Sequence, residues 1–121
     1  MKNSPSESSD LKKTHVVYKY NCKLGDCELL QNSNYIGQTI TTFSRRLTMH
    51  LQAGAPLKHT KDVHNQELTR KMLIENTKII HKINDYHRLV ITEALLISEE
   101  NPLLNRQDTG NIKTLQLFQN M

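Results

Sequence analysis

The stretch from residue 35 to residue 50 combines groups that can bind a phosphate. Tyr35-Ile36-Gly37 is typical of a strand end, since tyrosine and isoleucine favour strands and glycine lets a backbone approach a ligand closely. A helix N-capped by the threonine at 41 or 42 should follow. Arg46 and His50 are four residues apart, so they share one face of that helix. This grouping indicates a phosphate site, although a solvated basic helix face has the same pattern.

A second residue with chemical potential is Glu93, the one charged residue between Val90 and Ile97. On a helix it shares a stripe with Leu89 and Ile97. A lone carboxylate among apolar residues is costly unless it is paired, protonated or bound to a cation. Binding Mg²⁺ together with a substrate phosphate would offset the cost of burying this carboxylate. The alternative is a structural ion pair with Arg46 or Arg88.

The hydrophobic patterns predict the elements that must position these groups. Residues 14–20, the segment at Tyr35 and residues 77–83 are rich in strand formers. The first two should pair as an antiparallel hairpin, which would bring Tyr18 close to Tyr35. Helices are predicted over about 43–51, 68–74 and 86–98, with Asn84-Asp85 offering an N-cap to the last, which should be the most buried helix. The Gly54 to Pro56 segment reads as a helix stop, and residues 57–65 as a polar loop.

Composition sets the size and class of the protein. A chain of 121 residues fits one domain, and 36% hydrophobic residues with no tryptophan allow only a modest core. The net charge of +4 permits a nucleic-acid partner without requiring one. No apolar run is long enough for a membrane span and no signal peptide is evident, so we expect an intracellular protein. Two cysteines are too few for a disulfide framework.

These residues together resemble the GIY-YIG endonuclease superfamily. Val16-Val17-Tyr18 stands where the family has its first motif, with Val16 and Val17 replacing glycine and isoleucine, and Tyr35-Ile36-Gly37 matches the second motif. Arginine, histidine, glutamate and asparagine then follow in the family order, at Arg46, His50, Glu93 and Asn105. Arg45 competes for the arginine role, but the spacing of Arg46 to His50 favours Arg46. The resemblance implies an α+β fold with a small three-stranded antiparallel sheet flanked by helices.

The chain looks most like the endonuclease domain that accompanies Penelope-like reverse transcriptases, which carries a Cys-Cys-His-His insertion. The counterparts here are Cys22, Cys27, His59 and His64. Two thiolates and two imidazoles suit tetrahedral Zn²⁺. The alternative is two free thiols and two surface histidines. The implied domain covers residues 14–106, preceded by a disordered arm over 1–13 and followed by a tail over 107–121 that packs or frays.

The resemblance also implies a metal-dependent DNA endonuclease that uses Mg²⁺ or Mn²⁺ and cuts phosphodiesters, with nicking expected. Tyr18 would be the general base, Arg46 would stabilise phosphate charge and Glu93 would hold the metal. Tyr35 would orient the water or support Tyr18, and His50 would donate a hydrogen bond to the phosphate or assist proton transfer. Expected phosphate-backbone contacts are Lys19, Arg45, Lys58 and Arg70, and Asn105 is expected to fix the geometry of the site or to contact the DNA backbone. DNA is the expected partner, a membrane is not, and the nucleus is the expected location. The oligomeric state is not predicted. Rival functions are an inactive zinc-stapled DNA-binding module and a protein-interaction domain.

Overall fold

A three-stranded antiparallel sheet in the order β2-β1-β3 forms the centre of the fold. The structure, a computed structural model, describes residues 10–30 and 33–108. The strands are β1 Val16–Asn21, β2 Asn34–Thr39 and β3 Thr77–Lys82. β1 is central because its valines and tyrosines are buried on both faces of the sheet. The α+β class and the small antiparallel sheet predicted from the sequence are confirmed.

The helices cover both faces of this sheet. They are α1 Phe43–His50, α2 Ala55–His64, α3 Arg70–Asn76, α4 Tyr86–Glu100 and α5 Leu103–Asp108, and a short 3-10 helix spans Gly25–Leu29. The Thr42 side chain caps α1 by accepting from the Arg45 amide, and Asp85 caps α4 by accepting from the amides of His87 and Arg88. None of the described helices is long and apolar enough to cross a membrane.

Two hydrophobic clusters hold the layers together. On one face, Tyr18 packs with Phe43 and Leu47 of α1 and with Leu73 of α3. On the other face, Val17, Ile36 and Leu89 form a smaller cluster under α4. Each fully buried side chain of this size contributes about 1.5–3 kcal/mol relative to exposure. The side chains of β1 therefore direct Tyr18 toward α1 and its neighbour Val17 toward α4.

The loop predicted over residues 57–65 is wrong, because α2 occupies Ala55–His64. The supposed stop signal in fact begins this helix: Gly54 turns the chain at φ 112, and proline lies in the first turn, where no amide donor is needed. Asn65 then closes α2 in the left-handed conformation. This helix was not predicted, because its short polar sequence lacks a broad apolar stripe.

The prediction that α4 is the most buried helix is also wrong. Leu89 is its one buried residue, while Ile91 and Leu95 are 58% and 59% exposed. The small sheet explains the difference, since Val17 and Ile36 cover only one stripe of the helix.

The two ends of the described part bond to different elements, one to α1 and the other to β2. Within the predicted arm, the Lys13 carbonyl accepts a hydrogen bond from the Phe43 amide at 2.8 Å. At the other end, Asn105 of α5 bonds to both the amide and the carbonyl of Ile36, at 2.7 and 2.9 Å. Its amide side chain therefore caps the outer edge of β2. The rest of the predicted arm (residues 1–9) and residues 109–121 of the predicted tail lie outside the described residues.

Candidate functional site

The hydroxyl of Tyr18 is the centre of a buried hydrogen-bond cluster. It lies 2.7 Å from His50 Nε2, and it accepts a hydrogen bond from Arg46 Nε at 2.9 Å. Burial, followed by the charge of Arg46, lowers the pKa of His50 to about 4, so this imidazole is neutral near pH 7. In the tautomer that carries its ring proton on Nδ1, Nε2 accepts a hydrogen bond from the Tyr18 O–H. The cluster joins the middle of β1 to the last turn of α1.

Tyr35 and Gly37 of β2 lie next to the Tyr18 cluster. The Tyr35 ring centroid is 6.4 Å from that of Tyr18 and 5.5 Å from that of His50. Gly37 lies opposite Tyr18 in the β1–β2 register. A Cβ at Gly37 would be 2.5 Å from the Tyr18 oxygen and 2.9 Å from a Tyr35 ring carbon. Glycine is required here because the Tyr18 ring lies across the strand.

The structure distinguishes the two neighbouring arginines. Arg46 is half-buried and also hydrogen-bonds to Tyr35, whereas Arg45 is exposed. Arg46 is therefore the arginine that belongs to the tyrosine cluster, as its spacing to His50 indicated.

Glu93 of α4 acts on this cluster through its charge. Its carboxylate acts on the charge of Arg46 and on the ionisation of Tyr18, so the three groups share one electrostatic environment. Burial raises the pKa of Glu93, and Arg46 only partly opposes this. Among the described residues, Glu93 forms no salt bridge with Arg46 or Arg88. Glu93 therefore interacts with Arg46 through its charge and not through a direct salt bridge.

Solvent reaches the cluster through a pocket of about 220 Å³ between α1 and α2. The pocket is lined by Tyr35, Arg46, Met49, His50, Ala53, Gly54 and Ala55. Tyr18 itself is 0% exposed. The half-buried Arg46 guanidinium and the buried His50 imidazole line the pocket, and the guanidinium is the charged group that an entering anion would meet.

Burial dominates the ionisation of Tyr18. Burial and the nearby Tyr35 raise the pKa of Tyr18 far above its ordinary value, and the Arg46 guanidinium offsets only part of that rise. The phenol is therefore neutral at physiological pH, and its proton can leave only if a partner takes it. His50 is the group in hydrogen-bond contact that can do so.

A second cluster lies at the other end of β1. Cys22 follows this strand, Cys27 is on the 3-10 helix, and His59 and His64 are on α2. Their four ligand atoms all lie within 4.8 Å of one another. The Cys22 Sγ to His64 Nε2 distance is 3.3 Å, and the Cys27 Sγ to His59 Nε2 distance is 3.4 Å.

These distances fit a tetrahedral metal. Ligand bonds of about 2.3 Å to sulfur and about 2.0 Å to nitrogen would place S and N atoms about 3.5 Å apart. The cluster can therefore bind a structural metal such as zinc, as the Cys-Cys-His-His spacing predicted. Burial raises the pKa of the Cys22 thiol to about 11, so metal binding at neutral pH must displace its proton.

The predicted phosphate contacts occupy different environments. Arg45 and Lys58 are exposed. Lys19 pairs with Glu100 at 2.6 Å, and Arg70 donates to the Thr48 and Ser44 hydroxyls. Asn105 is 7% exposed, and its hydrogen bonds to Ile36 position β2.

The sequence interpretation missed Tyr20, which lies on the same face of β1 as Tyr18 and is 1% exposed beside the cysteine cluster. The period of two in β1 was the available signal, because it places residues 18, 20 and 22 on one side.

Comparison with protein-family models, with curated proteins and with solved structures found no match to this chain.

Proposed function

We propose that this protein is a metal-dependent DNA endonuclease of the GIY-YIG type, derived from a retroelement of the Penelope-like kind and acting in the nucleus. The observation that supports this proposal is the Tyr18 hydroxyl held between His50 Nε2 and Arg46 Nε, with the Glu93 carboxylate in the same electrostatic environment. A carboxylate, a hydroxyl in contact with an imidazole that can take its proton, and a guanidinium together suit hydrolysis of a phosphodiester.

In this proposal the scissile phosphate binds against Arg46 at the mouth of the pocket. The guanidinium covers the Tyr18 hydroxyl in the free protein. A phosphate that draws it outward would expose that hydroxyl to the attacking water. Arg46 then stabilises the charge that builds on the phosphate oxygens.

The proton of the attacking water moves to Tyr18 as the Tyr18 proton moves to His50 Nε2. The water becomes the nucleophile, Tyr18 stays neutral overall, and His50 becomes imidazolium. This route avoids a free phenolate, which the burial of Tyr18 disfavours. The negative phosphate offsets the burial and the Arg46 charge that keep His50 neutral in the free protein.

Glu93 is the residue that would hold Mg²⁺ or Mn²⁺. Its half-buried carboxylate without a salt bridge in the described structure fits a cation that takes one carboxylate and completes its shell with water and phosphate. When bound, such an ion polarises the phosphate and neutralises charge on the leaving oxygen.

The cysteine and histidine cluster would hold a structural Zn²⁺, because all four ligand positions of a tetrahedral site are filled by protein atoms. The exposed Arg45 and Lys58 remain proposed contacts to the DNA backbone, which would position DNA without reading its sequence.

Conversion of supercoiled plasmid to nicked circles, with and without Mg²⁺, tests the proposal. Arg46→Ala and Glu93→Gln should each lower the nicking rate by about 100-fold or more, since each removes a charge used in the transition state. Lys78→Gln is the control, because it removes an exposed positive charge on β3 that has no role in the proposed site, and it should keep at least half of the rate. Melting curves check that each variant is folded. A wild-type rate for folded Glu93→Gln would refute the assignment.

A catalytically silent DNA-binding module is the second candidate, favoured by the complete burial and neutral state of Tyr18. It would bind DNA with an affinity that falls steeply with salt, yet produce no metal-dependent nicks. A protein-interaction domain would show neither activity.

A further inference from the structure

The pocket between α1 and α2 is larger than the proposed phosphate site requires. Its volume is about 220 Å³. Since a cavity of about 150 Å³ holds a benzene ring, this pocket has room for a six-membered ring with its substituents. In the proposed function the phosphate binds against Arg46 at the mouth, which leaves most of this space without an occupant.

Arg46 and His50 give the pocket its donors for a phosphate. In the described part of the chain, the His50 side chain makes one hydrogen bond, between Nε2 and the Tyr18 hydroxyl. Its Nδ1 lies beside Gly54 on the pocket wall, where an added Cβ would be 3.3 Å away. In the tautomer that carries the ring proton on Nδ1, this N–H is a second donor beside the guanidinium.

The rest of the pocket wall is apolar. Met49, Ala53 and Ala55 contribute thioether and methyl groups, and Tyr35 adds an aromatic ring. Met49 is a large apolar side chain that is 46% exposed, so part of its surface is open to a ligand. A hydrated phosphate gains nothing from such a wall. A nucleobase does, because its flat ring packs on aromatic and apolar side chains.

We propose that this pocket binds one unpaired pyrimidine nucleotide of the DNA, beside the cut. The phosphate lies against Arg46 and His50, and the base fills the apolar part of the pocket. This inference rests on the phosphate site of the proposed function. A base inside a duplex is stacked and paired, so it enters a pocket only after it is extruded or where it is already unpaired. The substrate class is therefore DNA with an unpaired pyrimidine at the cut.

Binding of thymidine monophosphate to the full chain, without Mg²⁺, tests the inference. Deoxyribose phosphate is the matched ligand, because it has the same charged group and lacks the base. Titrations followed by amide chemical shifts give both dissociation constants. Thymidine monophosphate should bind about tenfold more tightly, which corresponds to about 1.4 kcal/mol. Equal affinities would overturn the inference.

Ala53→Leu should fill the apolar part of the pocket and leave the phosphate donors in place. Ala53 is exposed, so the variant should fold, which circular dichroism checks. Its preference for thymidine monophosphate should fall below about twofold, at an unchanged affinity for deoxyribose phosphate. Ile91→Ala is the control, because Ile91 is 58% exposed on α4 and away from the pocket, and it should keep the tenfold preference.

Met49→Ala is a second variant, which removes part of the wall at an exposed position and should lower the preference about threefold. A wild-type preference in folded Ala53→Leu and Met49→Ala would place the base elsewhere and overturn the inference.

Nicking assays separate this inference from the nuclease itself. In Mg²⁺, a duplex with one unpaired thymine should be cut beside that thymine about tenfold faster than the fully paired duplex. If both are cut at one rate, the nuclease stands and only the role of the pocket is refuted. If neither is cut while thymidine monophosphate is still preferred, the nuclease fails and the nucleotide pocket stands.

Discussion

Acidification should destabilise this protein through His50. Burial lowers the pKa of this imidazole to about 4 in the fold, against 6.5 in an ordinary environment. Between pH 4 and pH 6.5, His50 binds a proton in the unfolded chain but stays neutral in the folded chain. The stabilisation is therefore fully present above pH 6.5 and is lost as the pH falls toward 4. At about 1.4 kcal/mol per pH unit, the loss amounts to about 3 kcal/mol.

Urea denaturation of the wild type and of His50→Gln, from about pH 7.5 to about pH 4, measures this effect. Glutamine cannot titrate but can still accept from the Tyr18 hydroxyl. Protonation of the cysteine and histidine cluster will destabilise both proteins alike, so it cancels in their difference. The stability advantage of the wild type over His50→Gln should shrink by about 2 kcal/mol at pH 5 and by about 3 kcal/mol near pH 4.

A difference that stays constant within about 0.5 kcal/mol over this range would refute the reasoning, because it would mean that His50 accepts a proton in the fold at no cost.

Three further perturbations test the fold and the metal centre. Gly37→Ala should lower the free energy of unfolding by about 1–3 kcal/mol in urea, because its Cβ overlaps the Tyr18 ring; wild-type stability would show that the ring can move aside. Asn105→Leu should cost about 1–3 kcal/mol and speed hydrogen exchange at the Ile36 amide, and unaltered protection of that amide would contradict the bond. Chelation should lower the melting temperature, whereas an unchanged melt with no zinc in elemental analysis would remove the site.

Local patterns predicted much of the fold. The run of valines and tyrosines in β1 identifies a strand, however the rest of the chain packs. The helix caps at Thr42 and Asp85 were predictable because they depend on residues within one turn. α2 could not be found this way, because its stabilising contacts are distant in sequence. Its histidines lie 32 and 42 residues from the cysteines that they contact.

The sequence singled out the residues of the Tyr18 cluster, but it did not indicate their burial or their hydrogen bonds. Helical spacing identified Arg46 and His50, and isolation among apolar neighbours identified Glu93. The spacing could not reveal that Tyr18 is buried or that its hydroxyl lies against His50 Nε2, because both facts depend on α1 closing over the centre of the sheet. The same limit applies to α4, whose exposed apolar face follows from the narrow sheet.

The two candidate sites share the same pair of elements. β1 carries Tyr18 in its middle and leads into Cys22 at its end, while α2 begins at the pocket wall beside His50 and ends with the metal ligand His64. A metal bound by both elements would fix α2 along β1. Because Gly54 approaches His50 so closely that an added Cβ would lie 3.3 Å from Nδ1, a displaced α2 would disturb the imidazole that lies against the Tyr18 hydroxyl. In the proposed enzyme, a structural metal some turns away would thus act on the chemistry by holding one helix in place.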